Sequence, residues 1–196
     1  MSAPARSRRE RICLGCREKL CCSYYTVAVT GPEVRRIAQA MELSPRDFLQ
    51  SRQVPEPGPG RFRLEPEGPV FELILAKRWR PAPLLSPCVF LARTTDGHAV
   101  CGLGDLRPAQ CQDYPVYVHD DIVALVNDPA GCVRTWSPAE LDVDEERERI
   151  GRHAEDTETH HRIVEAWNAR VRSGGRARSF DEFCAFLLNR CAERTS

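Results

Sequence analysis

Cys13-Leu-Gly-Cys-Arg-Glu-Lys-Leu-Cys-Cys22 places four cysteines within ten residues of this chain. Four more follow at wider intervals, at Cys88, Cys101, Cys111 and Cys132. Thiolates at such density repel one another unless protonation, a disulfide or a cation neutralises them, and soft ions such as zinc or iron do so best. The sequence therefore predicts that these eight cysteines bind metal.

Length, charge and composition limit the class of protein. A chain of 196 residues can form one sizeable domain with an appended helical hairpin. Its 28 Lys and Arg balance its 28 Asp and Glu, so no net charge attracts it to nucleic acid or to an anionic membrane. No apolar run follows the basic start, and no segment has the length of a membrane span. We therefore expect a cytoplasmic protein with reduced thiols, in which metal binding is favoured over disulfides or redox-active thiols.

The first four cysteines contain a spacing typical of metal knuckles. Cys13 and Cys16 can place two sulfurs on one ion while backbone N–H groups of the turn point at them, and Gly15 permits a left-handed residue there. A redox role for this pair is disfavoured, because Cys21-Cys22 follows instead of a helix after a strand. If Cys21 and Cys22 are extended, their side chains point in opposite directions and serve different ions, or one binds metal and the other is buried.

The later four cysteines lie near predicted turns. Cys88 and Cys101 flank a hairpin turn at Asp96-Gly97, Cys111 follows Pro108, which can open a short helix, and Cys132 follows a turn at residues 128–131. Ligands on turns are typical of structural zinc sites, where the metal substitutes for part of the core. Four plus four ligands fit two tetra-thiolate ions or one to two iron–sulfur clusters, so the cofactor is zinc or iron, with a 4Fe-4S cluster as one alternative. The predicted ligands are Cys13, Cys16, Cys21, Cys22, Cys88, Cys101, Cys111 and Cys132.

Other reactive side chains have weaker patterns. Cys184 and Cys191 lie on the apolar face of a predicted helix, which indicates core packing. His98 and His119 lie near the later cysteines and are able to replace a thiolate. Basic side chains near thiolates reduce the repulsion between them, and the candidates are Arg17, Lys19 and Arg107. The remaining histidines are expected on the solvated face of a charged helix: His153, His160 and His161.

The N-terminal part of the chain is predicted to mix helices and strands. Thr30 and Pro32 predict the start of a helix over residues 33–42, with its inner face formed by Val34, Ile37, Ala38 and Met41. Ser44 and Pro45 predict a second helix carrying Phe48 and Leu49. Residues 55–69 are too rich in proline for a regular helix. Strands are predicted at Tyr24–Val29, Val70–Ala76, 98–101, 115–119 and 122–126, the last of them internal.

The C-terminal part is predicted to be helical. Residues 144–172 form one long charged helix, with apolar residues at seven-residue spacing, and Ser179 caps a final helix over Phe180–Cys191. The predicted fold class is α+β: a small irregular cysteine-rich core with short strands and N-terminal helices, followed by a C-terminal helical hairpin. The predicted boundaries are a disordered basic tail at residues 1–12, a metal-binding domain at 13–136 and a helical extension at 137–196 that packs on it.

The cysteine pattern resembles the CxxCxxCC zinc- or iron-chelating domain family, the YkgJ-type cysteine cluster proteins. The resemblance covers roughly residues 13–132 and includes Cys88-Val-Phe-Leu91 and Arg107-Pro-Ala-Gln-Cys-Gln-Asp-Tyr-Pro115. It implies that the eight predicted ligands form the metal site of the family. The chain has four residues, Arg17–Leu20, where the family name implies two.

The sequence leaves three functions open. The first is a metal-binding protein whose thiolate sites are structural or hold a cluster. The second is an iron–sulfur-dependent protein-modifying enzyme, because flagellin lysine N-methylases resemble the same cysteine pattern, although no glycine-rich S-adenosylmethionine fingerprint follows a strand here. The third is a zinc-pinned interaction module whose charged helix binds a protein partner. A hydrolytic zinc site is disfavoured, because the chain lacks His-x3-His and His-Glu-x2-His pairs.

Overall fold

The computed structural model describes residues 8–81, 85–119 and 122–193. It confirms the predicted α+β class with short antiparallel strands and a C-terminal helical hairpin. The helices are α1 (Arg8–Leu14), α2 (Cys21–Tyr24), α3 (Gly31–Met41), α4 (Pro45–Phe48), α5 (Ala109–Asp113), α6 (Val143–Arg152), α7 (Ala154–Gly174) and α8 (Phe180–Glu193). The strands are β1 (Leu49–Val54), β2 (Phe62–Arg63), β3 (Val70–Leu75), β4 (Leu91–Arg93), β5 (Ala99–Cys101), β6 (Val116–His119) and β7 (Ile122–Leu125).

The chain forms two compact units, and each is assembled from two stretches of sequence. Unit 1 contains the described residues up to Thr26 and those from Lys77 to His153, and unit 2 contains Val27–Ala76 and the described residues from Ala154 onward. All eight predicted metal ligands belong to unit 1. The predicted boundary between residues 136 and 137 lies within unit 1, so it does not coincide with any point at which the chain passes from one unit to the other.

Unit 2 combines a three-stranded antiparallel sheet, in the order β1-β3-β2, with α3, α7 and α8. Its core is aromatic: the Phe62 ring stacks on Phe183 with centroids 3.9 Å apart, and Trp167 meets Phe183 edge-on at 5.4 Å. The Trp167 indole N–H donates to the Arg63 carbonyl at 2.7 Å, which satisfies its one polar atom in the core. Cys184 and Cys191 are buried in this unit, which confirms their predicted role in packing.

The capping residues of unit 2 are largely as predicted. Thr30 and Glu33 form a reciprocal capping box at α3, as do Ser44 and Asp47 at α4. The prediction is wrong about Leu49, which begins β1 because the backbone there pairs with β3, from Leu49 opposite Leu75. Met41, assigned to the inner face of α3, is 38% exposed.

The predicted strand at Tyr24–Val29 is wrong for most of its length. Tyr24 ends α2, and only the end of the segment pairs with β3, through a bridge between Ala28 and Ile74. The N–H of Val29 donates to the Leu73 carbonyl, and the N–H of Leu75 donates to the Val27 carbonyl. Through these bonds the segment pairs with the central strand β3, in addition to β1 and β2, without forming a full strand.

Unit 1 contains only short elements. The antiparallel pairs β4–β5 and β6–β7 form two hairpins, and Gly97 has a φ of 83° in the predicted turn of the first. The strands predicted at 98–101, 115–119 and 122–126 are confirmed in these hairpins. Residue Ile122, however, is 66% exposed, so β7 is not internal as predicted. Its exposure follows from its position next to the hairpin tip.

Two further expectations about unit 1 are wrong. Residues 8–12 belong to α1 and are not a disordered tail, because the Arg9 guanidinium is buried and hydrogen-bonded; residues 1–7 lie outside the described residues. The long helix predicted over 144–172 is interrupted at His153. The reason is that α6 and α7 bury different kinds of surface: charged Glu146 and Arg149 in α6, and apolar side chains such as Trp167 in α7.

Candidate metal centre

The eight predicted ligands come from separate segments of unit 1. Cys13 lies on α1, Cys21 and Cys22 begin α2, Cys101 ends β5 and Cys111 lies on α5. The other three lie outside helices and strands: Cys16, Cys88 and Cys132. All ten cysteines of the chain are free thiols. The eight candidates are therefore available as ligands and are not consumed by disulfides.

Seven of the eight thiols lie close enough for a charge on one to raise the pKa of another. A charge on Cys88, Cys101 or Cys21 raises the pKa of Cys111 in this way. Charges on Cys111 and Cys101 raise the pKa of Cys22. Charges on Cys21 and Cys132 raise that of Cys13. These relations link both halves of the cysteine pattern across the long gap in sequence. The eighth, Cys16, accepts the backbone N–H of Lys19 on its sulfur at 3.4 Å.

Backbone hydrogen bonds join the segments that carry the thiols. The N–H of Cys88 donates to the Cys22 carbonyl at 2.7 Å, so these two cysteines are fixed side by side. The N–H of Ala99 donates to the Arg17 carbonyl at 2.9 Å, which places β5 beside the loop between Cys16 and Cys21. The backbone of unit 1 therefore holds the early and late cysteines together independently of side-chain chemistry.

Cys21 and Cys22 do not point apart as an extended pair would. They open the short helix α2, and the Cys22 thiol donates a hydrogen bond to the Cys21 sulfur, which is the main reason that the pKa of Cys21 falls to about 7. The same bond, with burial, raises the pKa of Cys22. The prediction assumed that the pair is extended, and this assumption is wrong. The geometry therefore supports neither of the alternatives drawn from it, different ions or one ligand and one buried thiol.

Burial dominates the pKa shifts of three further thiols. It raises the pKa of Cys13, of Cys88 and, most strongly, of Cys111. Positive charge acts in the opposite direction, since Arg9 lowers the pKa of Cys13 and Arg107 lowers that of both Cys13 and Cys111. Burial favours neutral thiols over free thiolates, and nearby arginines reduce the energy needed to ionise them.

The basic residues singled out in the sequence have distinct positions. Lys19 is 6% exposed and adopts a left-handed backbone with φ 44°, and its ammonium donates to the carbonyls of Cys13 and Leu14 at the end of α1. Arg107 is also buried and lies 3.5 Å from the Glu10 carboxylate. Arg17 is exposed. Two of the three predicted cations therefore belong to the interior of the site, and Arg17 belongs to the surface.

A buried ion-pair network, which the sequence did not indicate, supports the same segments. Arg9 is 2% exposed and donates to the Glu146 carboxylate at 2.8 Å and to the carbonyls of Tyr114 and Gln112 at 2.7 Å each. Arg149 pairs with both Glu146 and Asp113. The network is named here the Glu146 cluster and comprises Arg9, Asp113, Glu146, Arg149 and His153, whose ring nitrogen lies 3.2 Å from Asp113.

The Glu146 cluster joins the two halves of the cysteine pattern through α6. Arg9 lies one helical turn before Cys13 on α1, and Asp113 lies two residues after Cys111. Both side chains contact charged residues of α6. The only sequence signal for this arrangement is that α6 lacks an apolar stripe. The seven-residue spacing of Val143 and Ile150 hides this signal, since it resembles a stripe although Val143 is 40% exposed.

Tyrosines pack against the later cysteines. The rings of Tyr25 and Tyr114 are 5.1 Å apart, and the Tyr25 hydroxyl donates to Asp128 at 3.1 Å. The Asp128 carbonyl accepts the N–H of Cys132 at 2.9 Å, so this contact also fixes the last cysteine. A Cβ at Gly131 would lie 2.3 Å from the Tyr25 ring, which explains why this turn requires glycine.

The histidines have varied environments. His98, a candidate ligand, lies 3.5 Å from Asp96 in the β4–β5 turn, and its side chain is 35% exposed. The side chain of His119, the other candidate, lies outside the described part of the chain. His160 is 6% exposed and accepts the Gly31 N–H at 3.2 Å, so its predicted place on a solvated face is wrong. The side chain is buried in unit 2 because its ring nitrogen accepts the backbone N–H of the first residue of α3.

Among residues 8–81, 85–119 and 122–193, no group of three or more His, Cys, Asp or Glu side chains stands in an arrangement that could hold a metal ion. In the same part of the chain, no helix combines the length and apolar content needed to cross a membrane. No family model, curated protein or solved structure matches the chain. The function is therefore argued from the residues themselves.

Proposed function

We propose that unit 1 is a metal-binding site that takes up zinc or iron through the eight cysteines, and that the protein is a cytoplasmic cysteine-cluster protein. The single observation that carries the proposal is the proximity of seven thiols drawn from segments up to about 120 residues apart in the chain. Ordinary core packing does not explain such convergence, because cysteines used as small hydrophobes are scattered among aliphatic side chains, as Cys184 is.

The chemistry of the donors suits a soft metal, although no three of them stand in a coordinating arrangement in the described part of the chain. All ten thiols are free, and the eight in unit 1 are sulfur donors of the kind that zinc, iron and iron–sulfur clusters prefer. The buried cations Arg9, Lys19 and Arg107 are suited to reduce the negative charge that several bound thiolates would carry. A bound metal would supply cross-linking of short segments that share little apolar core.

Membership of the CxxCxxCC chelating family is part of the proposal. Its support is the cysteine spacing together with Arg107-Pro-Ala-Gln-Cys-Gln-Asp-Tyr-Pro115, several of whose residues converge around the thiols. Arg107 faces Cys111 and Cys13, Asp113 belongs to the Glu146 cluster, and Tyr114 packs on Tyr25. Free thiols throughout the chain are in keeping with the reducing environment of the cytoplasm.

The test is metal analysis of full-length protein purified without oxygen. We expect either colourless protein with about two zinc ions per chain or brown protein with about four or more irons and broad absorption in the visible range. X-ray absorption of a zinc form should show sulfur-only coordination near about 2.3 Å. Metal-free protein whose eight unit-1 thiols alkylate readily would overturn the proposal.

Matched cysteine variants locate the site. Cys111→Ser should lower the metal content, whereas Cys184→Ala should leave it unchanged and reduce the free energy of unfolding by only about 1 kcal/mol. Cys184 is buried and Cys111 is half-buried, and the two belong to different units. Loss of metal from Cys184→Ala, or full metal content in Cys111→Ser, would contradict the assignment of ligands to unit 1.

A further inference from the structure

A basic, apolar arm projects from unit 1 immediately before Cys88. Its described residues are 77–81 and 85–88, and the outgoing and returning segments lie side by side. The Arg78 N–H donates to the Pro87 carbonyl at 2.8 Å, and the Arg80 N–H donates to the Ser86 hydroxyl at 3.2 Å. A bridge between Lys77 and Cys88 closes the base. The arm is thus a defined structure at its base rather than a loose loop.

The arm exposes the most accessible tryptophan of the chain. Trp79 is 82% exposed, whereas Trp136 and Trp167 are 3% and 1% exposed. Leu85, on the returning segment, is 48% exposed. Single exposed apolar residues are common on protein surfaces, but an almost fully exposed tryptophan and a half-exposed leucine on the two segments of one arm present a large apolar area. Tryptophan and arginine are also the residue types most enriched among those that dominate binding energy at protein interfaces.

The charge around Trp79 is strongly one-sided. Arg78 and Arg80 flank it directly and are exposed, and no Asp or Glu occurs in the sequence between Glu72 and Asp96. Within the described ranges of the chain, neither arginine forms an ion pair; Arg78 donates a hydrogen bond to the Leu91 carbonyl instead. The chain as a whole has zero net charge, so this local excess is a feature of the arm alone.

We propose that the arm docks a linear acidic segment of a partner protein, with Trp79 as the apolar anchor and Arg80 as the group that pairs with a carboxylate. Charge complementarity selects an acidic occupant, and the exposed apolar pair Trp79 and Leu85 selects one that also carries apolar side chains. A single-stranded nucleic acid is disfavoured, because such platforms use successive aromatic side chains along a basic groove, and the arm offers one aromatic ring.

The base of the arm connects this surface to the thiols. Cys88, which ends the arm, donates its N–H to Cys22, and the Lys77 ammonium donates to the Ser23 carbonyl at 2.7 Å. The docking surface is therefore held by the segment that begins α2. The proposal does not depend on which metal, if any, unit 1 binds, because every contact used in it is formed by the chain alone.

The experiment uses full-length protein and a short soluble peptide rich in Asp and Glu with interspersed leucines. Because the other two tryptophans are buried, quenching of fluorescence by acrylamide reports chiefly on Trp79. We expect the peptide to shield Trp79 from acrylamide and to bind saturably in calorimetry. A peptide with Lys in place of each acidic residue should do neither. Absence of shielding by the acidic peptide would overturn the proposal.

Variants and competing ligands test which residues of the arm bind the peptide and which class of ligand the arm prefers. Trp79→Ala and Arg80→Glu should each weaken peptide binding about tenfold or more, while Arg172→Glu, at an exposed arginine of α7, should leave it unchanged. Circular dichroism of each variant should match the unaltered protein. Unchanged binding in Arg80→Glu would overturn the proposal. So would equal or tighter binding of a thymidine oligonucleotide or of vesicles of anionic phospholipid, which would assign the arm to nucleic acid or membrane instead.

Discussion

Unit 1 and unit 2 are stabilised by different kinds of interaction. Unit 2 has an aromatic core in which Phe183 contacts both Phe62 and Trp167, and its longest helix, α7, has 21 residues. Unit 1 has no described helix longer than the ten residues of α6. Its buried residues include five charged side chains: Arg9, Lys19, Arg107, Glu146 and Arg149. In unit 2 the buried charge is Glu33, which caps α3.

This contrast shows two ways in which a chain of moderate size can stabilise a fold. Apolar burial in unit 2 spreads its stabilisation over many contacts, so truncating one side chain costs the buried area and the cavity of that side chain. In unit 1 the short elements are joined by backbone hydrogen bonds and ion pairs, and four of the five buried charges have a partner of opposite sign. Removing one partner leaves the other charged and desolvated, which is more costly than losing the interaction itself. The two units should therefore respond differently to the same class of substitution.

The largest effect is expected from Glu146→Gln. This change removes the carboxylate shared by Arg9 and Arg149 and should lower the free energy of unfolding of unit 1 by about 3–5 kcal/mol. Hydrogen exchange of the amides of α1 and α6 measures it. The control is Arg46→Gln, which breaks an exposed ion pair with Asp181 in unit 2 and should have little effect. Unchanged protection of α1 and α6 would show that unit 1 does not depend on its buried charges.

Acid should weaken unit 2 through His160. Burial, with a smaller effect of nearby His161, lowers the pKa of His160 from 6.5 to about 4. As the pH falls below 6.5, His160 becomes protonated in the unfolded chain but stays neutral in the folded chain. The free energy of unfolding of unit 2 is therefore at its full value above pH 6.5 and declines by up to about 3 kcal/mol by pH 4. Exchange rates of α3 amides across this range measure the decline.

Glutamine variants separate His160 from its neighbour. His160→Gln should flatten the pH dependence of α3 between pH 6.5 and 4, whereas His161→Gln should retain it. Glutamine keeps a polar side chain but cannot titrate in this range. A steep dependence that survives His160→Gln would assign the acid sensitivity of unit 2 to another group.

A smaller effect is expected at Gly131. An alanine there would place its Cβ 2.3 Å from the Tyr25 ring, and the resulting shift should cost about 1–3 kcal/mol in unit 1. Gly151→Ala, on α6, is the matched control, because nothing lies within 4 Å of its added Cβ and alanine favours a helix. It should raise stability slightly. Chemical denaturation of both variants provides the comparison, and equal stabilities would show that Tyr25 moves aside freely.

The elements that could be predicted from sequence are those with local signals. Thr30 with Glu33, Ser44 with Asp47 and Ser179 all cap helices where expected, because a cap depends only on residues within one turn. The strand at Val70–Leu75 is apolar at five of its six positions, and the β4–β5 turn contains Gly97 at positive φ. The packing role of Cys184 and Cys191 also followed from spacing alone.

What the sequence could not indicate depends on pairing between distant segments. β1, with the sequence Leu-Gln-Ser-Arg-Gln-Val, is polar at four of its six positions and becomes a strand because β3 pairs with it. The buried face of α6 consists of Glu146 and Arg149, which look solvent-exposed until Arg9 and Asp113 are brought against them. Hydrophobic periodicity cannot detect a helix that is buried through its charges.

The interleaving of the two units has a consequence for synthesis on the ribosome. The sheet of unit 2 lies between Leu49 and Leu75, so all of its strands leave the ribosome before Cys88 does. Cys132 follows Cys22 by 110 residues, which at about 5–20 residues per second takes roughly 5 to 20 seconds. Until Cys88 is made, 66 residues after Cys22, the first four thiols have no later cysteine beside them, and the set of eight is complete only with Cys132. Oxidants and soft ions therefore have access to these thiols during translation, and under the proposed metal-binding function a supply of reductant and of metal matters most at that stage.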